Sequence, residues 1–224
     1  MTDMTWVKIC GTTNLEDALV AVEAGADAVG FVFYEKSPRN VSVEAARAMV
    51  KELPGHADKV GVFVNASPQR VSEIADDIGL TAVQLHGDEY KGAERYSIGG
   101  KVFFTMPVTD ILRELRGQVG SYEFPKFPQG ASVLLDSGSH ERRGGTGKPF
   151  AWGEARHFVS ALKEFHRVVI AGGLTSSNVS WAAETLQPWG VDVVSGVETS
   201  PGKKDPEKVR AFVRAVREMD RKVG

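Results

Sequence analysis

Strand-like and helix-like stretches alternate eight times along this 224-residue chain, and that repetition limits its fold more than any other feature. The strand-like runs fall at 5–10, 27–34, 59–64, 81–85, 101–106, 132–136, 167–171 and 191–195. They are rich in Val, Ile, Phe and Leu with little strict alternation, as expected of a parallel sheet covered by helices. Between the first two, Leu15, Ala18, Leu19 and Val22 recur at helical spacing and Gly25 ends the run. Ser42 offers an N-cap to a helix over 43–53 that stops before Pro54. Ser67-Pro68 opens a helix over 68–78, closed by Gly79. Further helices are predicted over 109–116, 151–164, 175–187 and 205–221, with a weaker one near 89–97. Segment 117–131 is the longest connection and reads as a loop on the face away from any site. No composition shift marks a second domain, so 1–224 reads as one.

Residues able to do chemistry sit at the C-terminal ends of these strands. Cys10-Gly11 follows the first, and the second leads into Ser37-Pro38-Arg39. Asn65, His86-Gly87, Asp136-Ser137, Gly172-Gly173 and Ser195-Gly196 end later ones. An open doubly wound sheet gathers its ligand residues at one switch point. A (β/α)₈ barrel collects them from all its strands on one face. The sequence therefore predicts an α/β chain folded as a single (β/α)₈ TIM barrel.

Composition narrows the partners. A formal charge of −2 gives no reason to expect nucleic acid or an anionic membrane. No apolar run reaches the ~18 residues of a bilayer span. MTDMTWVKIC has no basic start followed by an apolar stretch and cleavage site, and one cysteine forms no internal disulfide. These features predict a cytoplasmic protein acting on a small molecule, as a monomer or homodimer.

The last two strand ends, IAGGLTSSN and VSGVETSPG, each carry glycine. Barrels often hold phosphate there, on backbone N–H groups. Gly172, Gly173, Ser195 and Gly196 are the predicted phosphate site. A single glycine pair reads more readily as a plain turn; two on the last two strands reverse that and point to an anion. Gly145 and Gly147, in RGGTGK after the sixth strand, are candidate substrate contacts, without the spacing of a nucleotide triphosphate loop. Cys10 and Asp136 end strands on opposite sides of a barrel mouth. Near Lys8, a thiol has a proton affinity suited to a general base. A carboxyl after an apolar strand suits a general acid. The plainer alternatives are a small buried hydrophobe for Cys10 and a cap or ion pair for Asp136. Arg39 has the fork that matches a carboxylate, and His86 is a further contact candidate. The histidines fall on separate elements, so no metal site is expected.

KICGTT at 8–13, GFVFYEKSPRNVS at 30–42, GVFVN at 61–65 and VQLHGDE at 83–89 open a series of motifs. LLDS at 134–137, GGTGKPFAW at 144–152, IAGGL at 170–174 and DVVSGVETSPGKKDPEK at 192–208 complete it. Together they resemble the phosphoribosylanthranilate isomerase family of tryptophan biosynthesis, in order and over nearly the whole chain. The resemblance implies a cofactor-free Amadori rearrangement of N-(5-phosphoribosyl)anthranilate to 1-(2-carboxyphenylamino)-1-deoxyribulose 5-phosphate. It implies Asp136 as the acid that opens the furanose, Cys10 as the base at C2, Arg39 on the anthranilate carboxylate and the glycine loops on the phosphate. A related bifunctional isomerase that also serves histidine biosynthesis carries Asp, not Cys, at the first strand end. A barrel synthase closing an indole ring needs a Lys acid and a Glu in the mouth. A non-catalytic phosphosugar binder and a thiol redox sensor are the readings from other classes.

Overall fold

In the computed structural model the described residues are 4–87, 100–117, 127–137 and 150–223. Eight parallel strands close into a barrel in chain order: β1 (Trp6–Ile9), β2 (Ala28–Phe33), β3 (Asp58–Val64), β4 (Ala82–His86), β5 (Lys101–Pro107), β6 (Ser132–Asp136), β7 (Arg167–Ile170) and β8 (Gly190–Val193). β1 pairs with β8 in register Trp6 to Gly190 through Ile9 to Val193, which closes the ring. The helices are α1 (Leu15–Glu23), α2 (Val43–Glu52), α3 (Pro68–Ile78), α4 (Val108–Leu115), α5 (Trp152–Lys163), α6 (Val179–Leu186) and α7 (Pro206–Val223). The predicted helix near 89–97 and residues 118–126 of the predicted long loop lie outside the described residues.

The local signals act as their chemistry dictates. The Ser42 and Ser67 hydroxyls accept from the N–H groups of Ala45 and Arg70, and Gly79 closes α3 in the left-handed conformation. Two boundaries and one additional element differ most from the sequence expectation. α6 begins at Val179 rather than 175, because Asn178 ties the preceding turn: it accepts from Thr175 N–H and donates to Gly173 O. β8 stops at Val193, and Ser195–Val197 form a 3₁₀ turn. A small antiparallel hairpin then follows, β9 (Glu198–Ser200) with β10 (Lys203–Lys204), in a stretch where the sequence predicts neither strand nor helix.

Each strand shows one face to the helices and one to the interior. Val7, Ile9, Val29, Phe31, Val133, Leu135, Val168 and Ile170 pack outward under the helices. Trp6, Val60, Phe103, Leu134 and Val169 fill the N-terminal end of the interior. Trp6 of β1 stacks on Phe103 of β5 at 5.1 Å, a contact possible only through the middle of the barrel. One layer nearer the C-terminal rim the filling is polar. Lys8 of β1 donates to Gln84 Oε1 of β4 at 2.5 Å, again across the interior. Gln84 Nε2 donates onward to Thr105 Oγ1 of β5 at 3.2 Å. Asp192 of β8 approaches Lys8 Nζ at 2.9 Å. All four side chains are buried.

Candidate active site

All eight strands are parallel, so their C-terminal ends share one rim, and this rim carries the described site candidates. Cys10 is the first residue after β1; its N–H donates to Val193 O at 2.9 Å, holding it beside the end of β8. Its thiol is buried against Gly30 of β2, where a Cβ would stand 2.5 Å from Sγ. Burial raises the thiol above its ordinary range, and the Asp192 charge adds to this; Lys8 and Lys204 pull the other way. The positive field expected from sequence is present, but desolvation outweighs it. Asp136 is the last residue of β6 and half-buried. His86 ends β4, half-buried, and its Nε2 accepts from Gln84 Nε2 at 2.7 Å.

Arg39, on the loop after β2, is already gripped. Nε donates to Glu198 Oε1 at 2.9 Å and Nη2 to Oε2 at 2.7 Å. Glu198 begins β9, so the unforeseen hairpin supplies the carboxylate. The hydrogen bonds to Glu198 raise the guanidinium's proton affinity further. On Glu198 the same bonds and the Lys204 charge overcome burial and lower its pKa. The Lys204 ammonium meets Glu198 Oε1 at 3.1 Å and donates to Cys10 O at 2.5 Å. Burial lowers its pKa against the opposing pull of Glu198. An ionic chain thus runs from Arg39 through Glu198 and Lys204 to the backbone of Cys10. Glu198 takes Nε and Nη2 of Arg39 and leaves Nη1 outside this pair.

The glycine loops converge as the sequence suggested. A Cβ on Gly172 would lie 2.2 Å from Ser137 Oγ, and one on Gly196 1.9 Å from Leu174 O. The ends of β6, β7 and β8 therefore pack backbone to backbone, and only glycine allows it. Ser195 opens the 3₁₀ turn beside Gly196. Gly145 and Gly147 lie outside the described residues. Among the described residues no group of three or more His, Cys, Asp or Glu is arranged to hold a metal ion. No described helix is long and apolar enough to cross a membrane.

The sequence reading passed over Gln84, Thr105, Asp192, Glu198 and Lys204. A signal for the first three existed: each is a lone polar residue two positions from an inward-facing neighbour in an apolar strand, and period two sends both to one face. For Glu198 and Lys204 there was none, since the hairpin brings Glu198 to Arg39 from 159 residues away and carries Lys204 with it.

The sequence profile of N-(5'-phosphoribosyl)anthranilate (PRA) isomerase matches residues 7–215. The chain belongs to this isomerase family. N-(5'-phosphoribosyl)anthranilate isomerase of Geobacter sp. (strain M21) is 47% identical over 219 residues, covering 96% of this chain and 100% of the relative. That of Rubrobacter xylanophilus is 46% identical over 215 residues, covering 96% and 100%. Among solved structures, the phosphoribosyl anthranilate isomerase of Thermotoga maritima superimposes with a TM-score of 0.80 at 38% identity, covering 96% of this chain and all of that one. Another family structure, in complex with reduced 1-(o-carboxyphenylamino)-1-deoxyribulose 5-phosphate, gives 0.77 at 37% identity, with the same coverage. Family membership makes the rim the place to read an isomerisation, and the barrel is the family's fold.

Proposed function

We propose that this chain converts N-(5-phosphoribosyl)anthranilate to 1-(2-carboxyphenylamino)-1-deoxyribulose 5-phosphate, in tryptophan biosynthesis, with Asp136 as general acid and Cys10 as general base. The observation that carries the reading is the grouping on one rim of a buried thiol, a strand-end carboxyl, a pre-oriented guanidinium and two converging glycine loops. These are the groups an aminated sugar phosphate with an aryl carboxylate requires. The related structure holding a reduced carboxyphenylamino-deoxyribulose phosphate supports that substrate class. We read residues 1–224 as one domain, because β1 and β8, from opposite ends of the chain, pair within one closed sheet.

The Asp136 proton goes to the furanose ring oxygen as the C1–O bond breaks and its electron pair stays on oxygen. The nitrogen lone pair forms the C=N bond of a protonated Schiff base. The Cys10 thiolate takes the C2 proton; the C–H pair becomes the C1=C2 bond and the C=N pair returns to nitrogen. The enolamine then tautomerises to the ketone. Arg39 holds the carboxylate, and Gly172, Gly173, Ser195 and Gly196 take the phosphate. Barrier lowering by such positioned proton transfers is typically about 10²–10⁴-fold. The test is turnover of N-(5-phosphoribosyl)anthranilate by wild type and Cys10→Ser, followed by the change in fluorescence of that adduct as it is converted. No turnover by wild type, with phosphosugars still bound, would leave the non-catalytic binder as the better account.

A further inference from the structure

The polar layer beneath the rim has no place in the chemistry described so far. A barrel interior is ordinarily filled by layers of branched apolar side chains. Here a lysine and an aspartate, 1% and 4% exposed, occupy the second layer. Burying such a pair costs desolvation free energy that its attraction does not reliably return, and an apolar layer of equal volume is often as stable or more so. Stability alone does not account for the pair.

Its position does. Lys8 and Cys10 are two residues apart at the same strand end, so their side chains leave β1 on the same face. The Lys8 ammonium hydrogen-bonds Gln84 Oε1 at 2.5 Å, and its charge acts on the Cys10 thiol beside it. Asp192 Oδ1 stands 2.9 Å from it as a charge contact rather than an aligned hydrogen bond. Lys8 thus faces two anion positions, a fixed one at Asp192 and a conditional one at the sulfur. We propose that Lys8 is the positioning counter-charge of the Cys10 thiolate and that Asp192 holds it in reserve, so that the pair sets how readily Cys10 gives up and regains its proton. When Cys10 is a thiolate, Lys8 is shared between sulfur and carboxylate. When Cys10 has taken a proton, Lys8 is left to Asp192 and no unpaired charge remains in the interior. Gln84 fixes the ammonium from the far side and orients His86 and Thr105 through its amide N–H groups.

Other charged groups also face the sulfur. Lys204 lies on the β10 side, with Glu198 beside it, and Arg39 interacts from the β2 loop. Lys204 and Arg39 share a single carboxylate, Glu198, and the Lys204 charge also favours the thiolate. Among the described residues Asp192 is the carboxylate that acts on both Lys8 and the thiol: burial lowers the proton affinity of Lys8, but Asp192 and Cys10 together leave it raised. On Cys10 the two partners act oppositely, Lys8 favouring thiolate and Asp192 opposing it.

This inference deepens the reading of Cys10 as the base and rests on it. Opposed effects give it a test that a structural role fails. Cys10 is the only cysteine of the chain, so ultraviolet thiolate absorbance, corrected with Cys10→Ser for tyrosine, reports it alone. Asp192→Asn should lower the thiol midpoint by about one unit or more, and Lys8→Met should raise it by a similar amount. Lys8→Arg, which keeps the charge, should stay nearest to wild type. The rising limb of the turnover–pH profile should follow the same order. Shifts in one direction for both partners, or a midpoint unmoved in Asp192→Asn, would overturn the proposal. If Lys8→Met fails to fold, Asp192→Asn and Lys8→Arg decide it, since both keep a cation in the layer. The titration needs no turnover: opposed shifts with full activity in Cys10→Ser would remove the catalytic reading and leave the counter-charge standing.

Discussion

The two halves of the barrel interior are built from the same eight strands and are chemically opposite. At the N-terminal end, Trp6 stacks on both Phe103 and Trp189, each at 5.1 Å, in a three-ring cluster with Val60, Leu134 and Val169. One pleat further on, Lys8, Gln84, Thr105 and Asp192 replace them. The apolar layer gains its free energy from burial, at roughly 25 cal/mol per Å² of surface removed from water. The polar layer costs desolvation and returns a fixed electric field under the rim. The comparison teaches that a closed barrel separates stability from chemistry along its axis while drawing both from single strands. In β1, Trp6 belongs to one task and Lys8 to the other, two residues away.

Four substitutions press on that separation. The largest effect is expected on turnover from Cys10→Ser, a loss of about 10²-fold or more with little change in thermal midpoint, because a hydroxyl is a far poorer proton acceptor near neutrality. Steady-state kinetics beside a melting curve would read both; a comparable loss of stability would merge the two halves. Next is Leu134→Ala in the apolar layer, expected to cost about 2–5 kcal/mol of folding stability through a cavity. Turnover per folded molecule should persist in that variant, as measured below its melting transition. A collapse of turnover there would mean that the apolar layer sets the geometry of the rim directly.

Arg39→Ala should weaken a carboxylated product analogue by about 1.5–3 kcal/mol, the worth of a charge-assisted pair. Calorimetry should find a plain ribose phosphate bound nearly as before. Equal losses for both ligands would make Arg39 a general anion attractor, or a strut for Glu198 alone. The smallest effect is expected at the helical surface, where Arg47 of α2 pairs with Asp77 of α3 and both are more than 40% exposed. Arg47→Ala should change stability by at most about 1 kcal/mol, and less in high salt. A larger loss in chemical denaturation would show that the outer shell carries more of the fold than its exposure implies.

The chain itself determined the eightfold alternation, and with it the closed barrel. Each barrel strand could be found from its apolar run, and the described helices to within a few residues at their ends. Local rules suffice there because Ser42, Ser67 and Gly79 act on groups within four residues of themselves. Cys10, Arg39, Asp136, His86 and the Gly172 and Gly196 loops were legible because parallel strands leave all their C-terminal ends on one face. What the sequence could not supply was partnership. Arg39 reads as a free fork in a loop, and only the fold brings Glu198 onto one edge of it and Lys204 behind. Cys10 reads as a thiol beside a lysine. Only the fold sets the desolvation that outweighs that lysine, and the aspartate from β8 that competes for it. The physical reason is range. Capping, periodicity and turn chemistry act along a few residues, whereas burial and charge act through space, between strands that meet only when the barrel closes.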